Sequence, residues 1–396
     1  MNWRLVASSS ELVKENVAIV GGGLCGLTCA LELSRKNVEF RLFEKDQSVG
    51  GRVRDYWLDG ERIALGAVNF SLHYSSLLAL IRETGLEAKI RPTEGKHAIF
   101  SRRRIIKLDP ASIFFDTRIP LSVKIDLARA RNLITKLTPD SLPEEMFRIS
   151  LKDYFLARYR PEIVDDFVNP FCWGFFSSGA EKVPAANGLR AMSAAYNPYT
   201  LEGGLHSLIR AMESRLAANV LKGCRIESID VDRDGGFVLR WGANVERFGI
   251  VACCAPIPEA RKFLHGLAIP DVLYSRKTMY VVKGQSAFPG ISLLVNGDPE
   301  FRLGLILYYR DLSLVSSEQG NPDLSPFFRD PAIVYEHTWE QCAPKGTQGE
   351  MPQGPKTEIP NLYVGGDFKY GGGTESATRA GKEIAEEILG SLAGTS

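Results

Sequence analysis

The sequence predicts an α/β protein in which a parallel sheet is interrupted by, and interleaved with, an α+β unit. Three observations predict it. A continuous apolar run, Val17-Ala18-Ile19-Val20, stops at Gly21-Gly22-Gly23 and leads into Leu24, Leu27, Leu31 and Leu33 at near-helical spacing. A second apolar run, Ile250-Val251-Ala252-Cys253-Cys254-Ala255, is stopped by Pro256. A third, Leu362-Tyr363-Val364, enters Gly365-Gly366-Asp367 near the end of the chain.

Taken in order, Val17–Val20 lacks polar alternation, as a strand buried on both faces does. The helix runs from Leu24 to Lys36, and Val38–Phe43 reads as the next strand, completing a βαβ unit. Residues 71–199 read as mostly helical, with aromatic clusters at Phe114-Phe115 and Phe171-Cys172-Trp173-Gly174-Phe175-Phe176. Gly203-Gly204-Leu205 opens a helix through about Leu216. Arg225–Asp230 and Phe237–Arg240 read as strands around the Asp234-Gly235-Gly236 turn. Residues 277–309 alternate strand-like runs with turns, and a helix after Gly371-Gly372-Gly373 closes the chain. This order assigns residues 1–75, 200–270 and 345–396 to one discontinuous unit and 76–199 and 271–344 to a second.

With 396 residues, 44% hydrophobic and 24% charged, the chain can bury the cores of two units. A formal charge of +1 gives no bulk field toward nucleic acid. Seven scattered cysteines without CxxC spacing argue against a disulfide framework or a zinc site, and Cys253 and Cys254 read as core. The histidines His73, His97, His206, His265 and His337 share no metal-ligand spacing. The start, Met1–Asn16, carries no secretory apolar region, and no run has the length of a membrane span, so a cytoplasmic protein is expected.

Gly21-x-Gly23-x-x-Gly26 follows a strand and opens a helix, the Rossmann context for a nucleotide diphosphate. Gly21 permits the turn, Gly23 lets the diphosphate approach, and Gly26 lets the helix pack on the strand. The N–H groups of the first helical residues, among them Leu24 and Cys25, face the phosphates. Glu44 ends the second strand, placed to accept from ribose hydroxyls, with Lys45 beside it. Gly50-Gly51-Arg52 then offers a charged fork to the pyrophosphate. A glycine turn without a nucleotide is the plainer reading, and the first motif alone does not separate FAD from NAD.

The run Val17–Gly26, then Glu44-Lys45 and Gly50-Gly51-Arg52, resembles the opening of the flavin-containing amine oxidase superfamily, which includes phytoene-desaturase-like and protoporphyrinogen-oxidase-like enzymes. Asn361–Asp367 resembles its last FAD-binding strand. The resemblance implies that Gly366 and Asp367 meet the ribityl chain and that the helix through Glu375, Ser376 and Ala377 points its N-terminus at the flavin. Arg225-Ile226 resembles the strand whose backbone meets the adenine. The implied cofactor is noncovalent FAD, since the spacing of Cys342 to Gly366 does not fit a covalent link. No second GxGxxG follows a strand, so electrons are expected to pass to O2 or to a separate acceptor.

For the substrate side, the resemblance makes Lys277 the match to a lysine that holds a water near the flavin. A solvated lysine at a strand start is the plainer reading. Gly373 stands where the monoamine members place an aromatic, which leaves Tyr370 or Trp173 as candidate walls. Ile149–Phe155 and Asn169-Pro170-Phe171 resemble the desaturase and porphyrinogen-oxidase branch. The expected activity is removal of a hydride from a C–N or C–C bond of a small or medium organic substrate. The alternatives are a desaturase of an isoprenoid or tetrapyrrole, a non-redox isomerase or mutase, and a flavin-binding interaction protein. Arg102-Arg103-Arg104 and the helix Leu121–Leu137 offer a peripheral lipid contact, with a solvated face as the plainer reading. The oligomeric state is not legible.

Overall fold

Val17–Val20 (β1) is buried at every position because, in this computed structural model, it is the central strand of a five-stranded parallel sheet. The structure describes residues 16–137, 142–196, 198–233, 235–265, 272–345 and 356–393. The strand order is Leu362–Val364, Ile250–Cys253, β1, Phe40–Glu44 (β2), Val220–Lys222. Every adjacent pair is parallel, with Val17 opposite Ile250 on one side and Phe40 on the other. Parallel neighbours need crossovers, and Leu24–Arg35 (α1) supplies the first. One face of the sheet is covered by α1, by the helix His206–Leu216 and by the closing helix Gly373–Ala393. The other face packs against the meander Ser228–Val231, Phe237–Trp241, Asn244–Phe248.

The second sheet has seven strands and is antiparallel except where Ile291–Asn296 runs parallel to Lys96–Ser101. Its long pair, Tyr274–Ser286 and Phe328–Pro344, carries register shifts at three places along the ladder. Helices between residues 110 and 196 pack on its other side around Phe155, Phe167 and Leu189.

The structure departs from the sequence reading at four places. Residues 71–199 are not all helical: Lys96–Ser101 and Arg104–Lys107 form a hairpin that joins the second sheet. Ser75–Glu83 (α2), assigned by sequence to the second unit, buries Leu77, Leu80 and Ile81 in the core of the first. Arg225 and Ile226 lie before the strand, which begins at Ser228. The helix after Gly203-Gly204 starts at His206, because both glycines hold left-handed φ values of 81° and 78°. Asp234 and residues 1–15 lie outside the described residues.

Candidate active site

The glycine turn is shaped by what a side chain would strike. Gly21 sits at φ 108°, and a Cβ on Gly26 would lie 2.0 Å from the Gly21 carbonyl oxygen, so α1 reaches the turn only through a glycine. Gly22 donates its N–H to Glu44 Oε2 at 2.7 Å, and a Cβ there would come within 2.9 Å of the same oxygen. Gly23 differs: it caps α1 at an ordinary φ of −73°, and a Cβ on it would meet nothing within 4 Å. No side chain caps α1, whose first residues Leu24 and Cys25 are buried. Open space thus faces a set of backbone N–H donors at the positive end of a helix dipole, which is what an anionic diphosphate requires.

Glu44 closes this turn from β2. Its Oε1 accepts from the Asp46 N–H at 2.9 Å, so both carboxylate oxygens already hold backbone donors while keeping lone pairs for a diol. Burial pushes its carboxyl up, and the two backbone N–H groups pull the other way. Lys45 turns outward to Glu259, 3.4 Å away. Ile226 is buried against Phe43 in the core beneath this end.

Gly50 donates to the Gly22 carbonyl at 2.8 Å, drawing the paired glycines against the turn. Arg52 then reaches Asp367. Its Nη1 donates to Oδ2 at 2.9 Å and its Nη2 to Oδ1 at 2.8 Å, and Nη1 also meets the Cys342 carbonyl at 2.9 Å. The Tyr274 phenol lies beside this pair, its ionisation pushed up by burial and by the Asp367 charge.

The segment Gly371, Gly372, Gly373 runs at φ 84°, 93° and 91°, a conformation closed to most side chains, and turns Asp367–Tyr370 into the closing helix. Ser376 Oγ donates to the Gly372 carbonyl at 2.7 Å. Glu375 accepts from the Ser76 and Leu77 N–H groups, each at 2.8 Å, and so caps α2. Ala377 is partly buried against the first core. A Cβ on Gly381 would lie 2.3 Å from the Cys25 carbonyl, so the closing helix crosses α1 in contact, one turn from the phosphate-type cradle. The structure therefore brings the sequence-selected residues of both chain ends to one place.

The substrate-side candidates are arranged differently. Lys277 is buried, and its Nζ donates to the Phe175 carbonyl at 2.6 Å and to the Gly174 carbonyl at 3.4 Å, capping the C-terminal end of the helix Asn169–Phe176. Burial pulls its amine down, opposed by Cys342 and Glu318. The Cys342 thiol is pushed up by burial, opposed by the charges of Lys277 and Arg52. The Tyr370 ring is covered by the Arg379 guanidinium at 4.0 Å, and Trp173 is half-buried. A cavity of about 20 Å³, room for one water, sits at the start of the closing helix between Tyr74, Arg190, Tyr370 and Ser376.

Two contributors escaped the sequence reading. Gly66 sits so close that a Cβ would lie 1.8 Å from the Arg52 carbonyl, which Ala67 N–H also meets at 3.1 Å; a glycine ending the apolar Ile63-Ala64-Leu65 was the available signal. Cys342 acts through its backbone carbonyl, which leaves no trace in side-chain identity.

Residues 24–297 match the family described as flavin containing amine oxidoreductase. The chain belongs to this family. Flavin, as FAD, is accordingly the cofactor, the open space at the uncapped start of α1 suits its diphosphate, and the α/β class and the resemblance read from the sequence both stand. Within the curated members, a coproporphyrinogen III oxidase of Staphylococcus aureus is 27% identical over 210 residues, covering 50% of this chain and 43% of that protein. A zeta-carotene desaturase of Synechocystis is 35% identical over 163 residues, 36% of this chain and 33% of that protein. The chain spans less than half the length of these relatives. A fatty acid isomerase from P. acnes shares the fold, with a TM-score of 0.72 over 94% of this chain and 98% of that one at 16% identity.

Proposed function

We propose that the protein is an oxidoreductase that takes a hydride from a C–N or C–C bond of an organic substrate, with noncovalent FAD as the primary acceptor and O2 or a separate acceptor as the final one. The observation that carries this reading is the convergence of the uncapped, buried N-terminus of α1 with the Arg52–Asp367 pair and the start of the closing helix. FAD supplies the redox chemistry. The chain's residues bind and orient: the Gly21–Gly26 turn with Leu24 and Cys25 holds the diphosphate, Glu44 the ribose, Arg52 the pyrophosphate and Asp367 the ribityl chain. The N-terminus of the closing helix, at Glu375, Ser376 and Ala377, favours negative charge on the reduced ring by about 0.3–2 kcal/mol. Residues 1–75, 200–270 and 345–396, joined by α2, form the cofactor unit in this reading, and 76–199 and 271–344 the substrate unit.

A second reading, desaturation of a tetrapyrrole or isoprenoid, is favoured by the names of the two curated relatives. Anaerobic absorbance of the FAD-loaded protein tests both. Bleaching of the flavin bands by amines supports C–N oxidation, and bleaching by porphyrinogens or polyenes supports the second reading. Bands that no substrate bleaches overturn both in favour of a non-redox enzyme.

A further inference from the structure

Where the strand Tyr274–Ser286 begins, the second sheet meets the cofactor elements of the first. Tyr274 lies opposite Pro344 in the ladder and Ser275 opposite Ala343, and the Lys345 N–H donates to the Leu273 carbonyl at 2.8 Å. The same end of the partner strand reaches both chain ends. The Cys342 carbonyl accepts from Arg52, and a Cβ on Gly372 would lie 3.1 Å from Pro344 Cγ and 3.9 Å from Asp367 Oδ2. The Tyr274 ring packs against the core that holds Val20, Cys253, Ile257 and Phe368. Val20 and Cys253 end their strands, so the ring sits at the carboxyl end of the parallel sheet, where an open α/β sheet takes its ligand.

The phenol ends there without a hydrogen bond. The residue is half-buried, yet its hydroxyl oxygen is buried and no group of the protein partners it. Its neighbours are the Asp367 carboxylate, the Arg52 guanidinium and Cys25 in the first turn of α1, and the Ile257 N–H lies beside it without closing a hydrogen bond. Burial and the Asp367 charge push its ionisation up, so the O–H is retained as a donor. A donor needs an acceptor. Arg52 and the Ile257 N–H are themselves donors, and both Asp367 oxygens are engaged by the Arg52 fork. Buried hydroxyls are ordinarily paired, because an unmatched one costs free energy. The acceptor that suits a convergence of donors is an anion, and a diphosphate held at the start of α1 brings its oxygens to this side of the turn.

We propose that Tyr274 is a further cofactor-binding residue, whose phenol O–H, unpartnered beside Arg52 and Asp367, donates to a diphosphate oxygen of FAD. The inference rests on FAD occupying the glycine turn of α1. It adds a contact from residues 271–344, the segment assigned to the substrate unit, so that the second sheet also holds the cofactor.

The test compares wild type with Tyr274→Phe, which keeps the ring and deletes only the hydroxyl. FAD and ADP are titrated into the apoprotein, and urea midpoints are read with and without FAD. The expected result is a Kd for FAD raised about tenfold or more, as for the loss of a hydrogen bond to a charged group, with ADP weakened by the same factor because it carries the diphosphate. The apoprotein midpoint is expected to equal or exceed wild type, since the hydroxyl has no partner to lose, while the rise in midpoint that FAD confers becomes smaller. A Kd for FAD equal to wild type overturns the proposal. So does an apoprotein midpoint below wild type, because the hydroxyl then belongs to the fold. FAD weakened with ADP unchanged also overturns it, because the phenol then meets the ribityl chain or the ring. A wild type that binds neither FAD nor ADP overturns the reading of the glycine turn itself, a failure distinct from those of the variant.

Discussion

Arg52 holds Asp367 through two parallel N–H···O contacts, at 2.9 and 2.8 Å, across 315 positions of sequence. The sequence reading assigned each a separate task along FAD, yet here each is the other's partner. The Asp367 side chain is 5% exposed and that of Arg52 29%, so the pair is mostly removed from water. Truncating one partner strands the other's charge. Asp367→Asn is expected to lower the unfolding free energy of the apoprotein by about 3 kcal/mol, the low end for breaking a buried pair. Arg52→Lys keeps the charge but loses the fork, and is expected to weaken FAD about tenfold. Denaturant midpoints and fluorescence titration with FAD read the two effects. An Asp367→Asn apoprotein as stable as wild type would show that the pair contributes nothing.

Gly23 and Gly26 make a sharper contrast, because they are identical in chemistry and opposite in surroundings. A methyl at Gly26 would lie 2.0 Å from the Gly21 carbonyl oxygen, whereas one at Gly23 meets nothing within 4 Å at a φ that alanine accepts. Gly26→Ala is expected to cost folding stability, in the range of about 1–3 kcal/mol seen for overpacking. Gly23→Ala is expected to leave stability within about 0.5 kcal/mol of wild type while weakening FAD strongly, since its methyl stands where the diphosphate approaches. Should Gly23→Ala bind FAD as wild type does, the space above the turn is not the phosphate site.

Local signals explain what was legible. Val17–Val20, its glycine turn and α1 are set by neighbours within ten residues, so periodicity and the positions of Gly21, Gly23 and Gly26 revealed them. Lys96–Ser101 was read as part of a helical region because the turn to its local partner Arg104–Lys107 is made by Arg102 and Arg103 at φ 51° and 57°, without the Gly or Asn that marks such a turn, and its other partner, Ile291–Asn296, lies nearly two hundred residues away. The membership of α2 in the first core is likewise a tertiary fact, fixed by Leu77 and Ile81 meeting residues from both chain ends. Lys277 was singled out through the family resemblance at a strand start, with a solvated side chain as the plainer reading, but its burial and direction depend on where the helix Asn169–Phe176 ends in space. Side-chain identity gives position along a strand and not the carbonyl that a side chain will reach.

Glu375 ties two helices at the site. Its carboxylate accepts from two N–H groups at the start of α2 while itself standing in the first turn of the closing helix. Both helix dipoles favour a negative charge there. Glu375→Gln keeps one acceptor oxygen and is expected to cost about 1 kcal/mol. Glu375→Ala leaves both donors without it and is expected to cost about 2 kcal/mol. Hydrogen exchange at Ser76 and Leu77 should accelerate in both variants ahead of the rest of the core. If exchange rises elsewhere and not at those amides, the cap is not what holds α2.

Lys277 decides between a helix cap and a redox role. Its amine is pulled down by burial, so between its folded and unfolded ionisation the unfolded chain binds more protons, and stability attributable to Lys277 rises with pH across that window. The upper limit is the unperturbed lysine value near about 10.4. Lys277→Met removes both the cost of a buried charge and the contacts to the Phe175 and Gly174 carbonyls, which oppose each other in stability near neutrality. Wild type should therefore gain stability relative to Lys277→Met as pH is raised from neutral toward about 10, as read by urea midpoints. Anaerobic flavin reduction separates the roles. A reduction rate unchanged in Lys277→Met, together with the altered alkaline stability, identifies the lysine as a cap. A rate that falls about tenfold or more, with the helix intact by circular dichroism, assigns it to the chemistry, because orientation or proton handling at the reacting centre is then what has been lost.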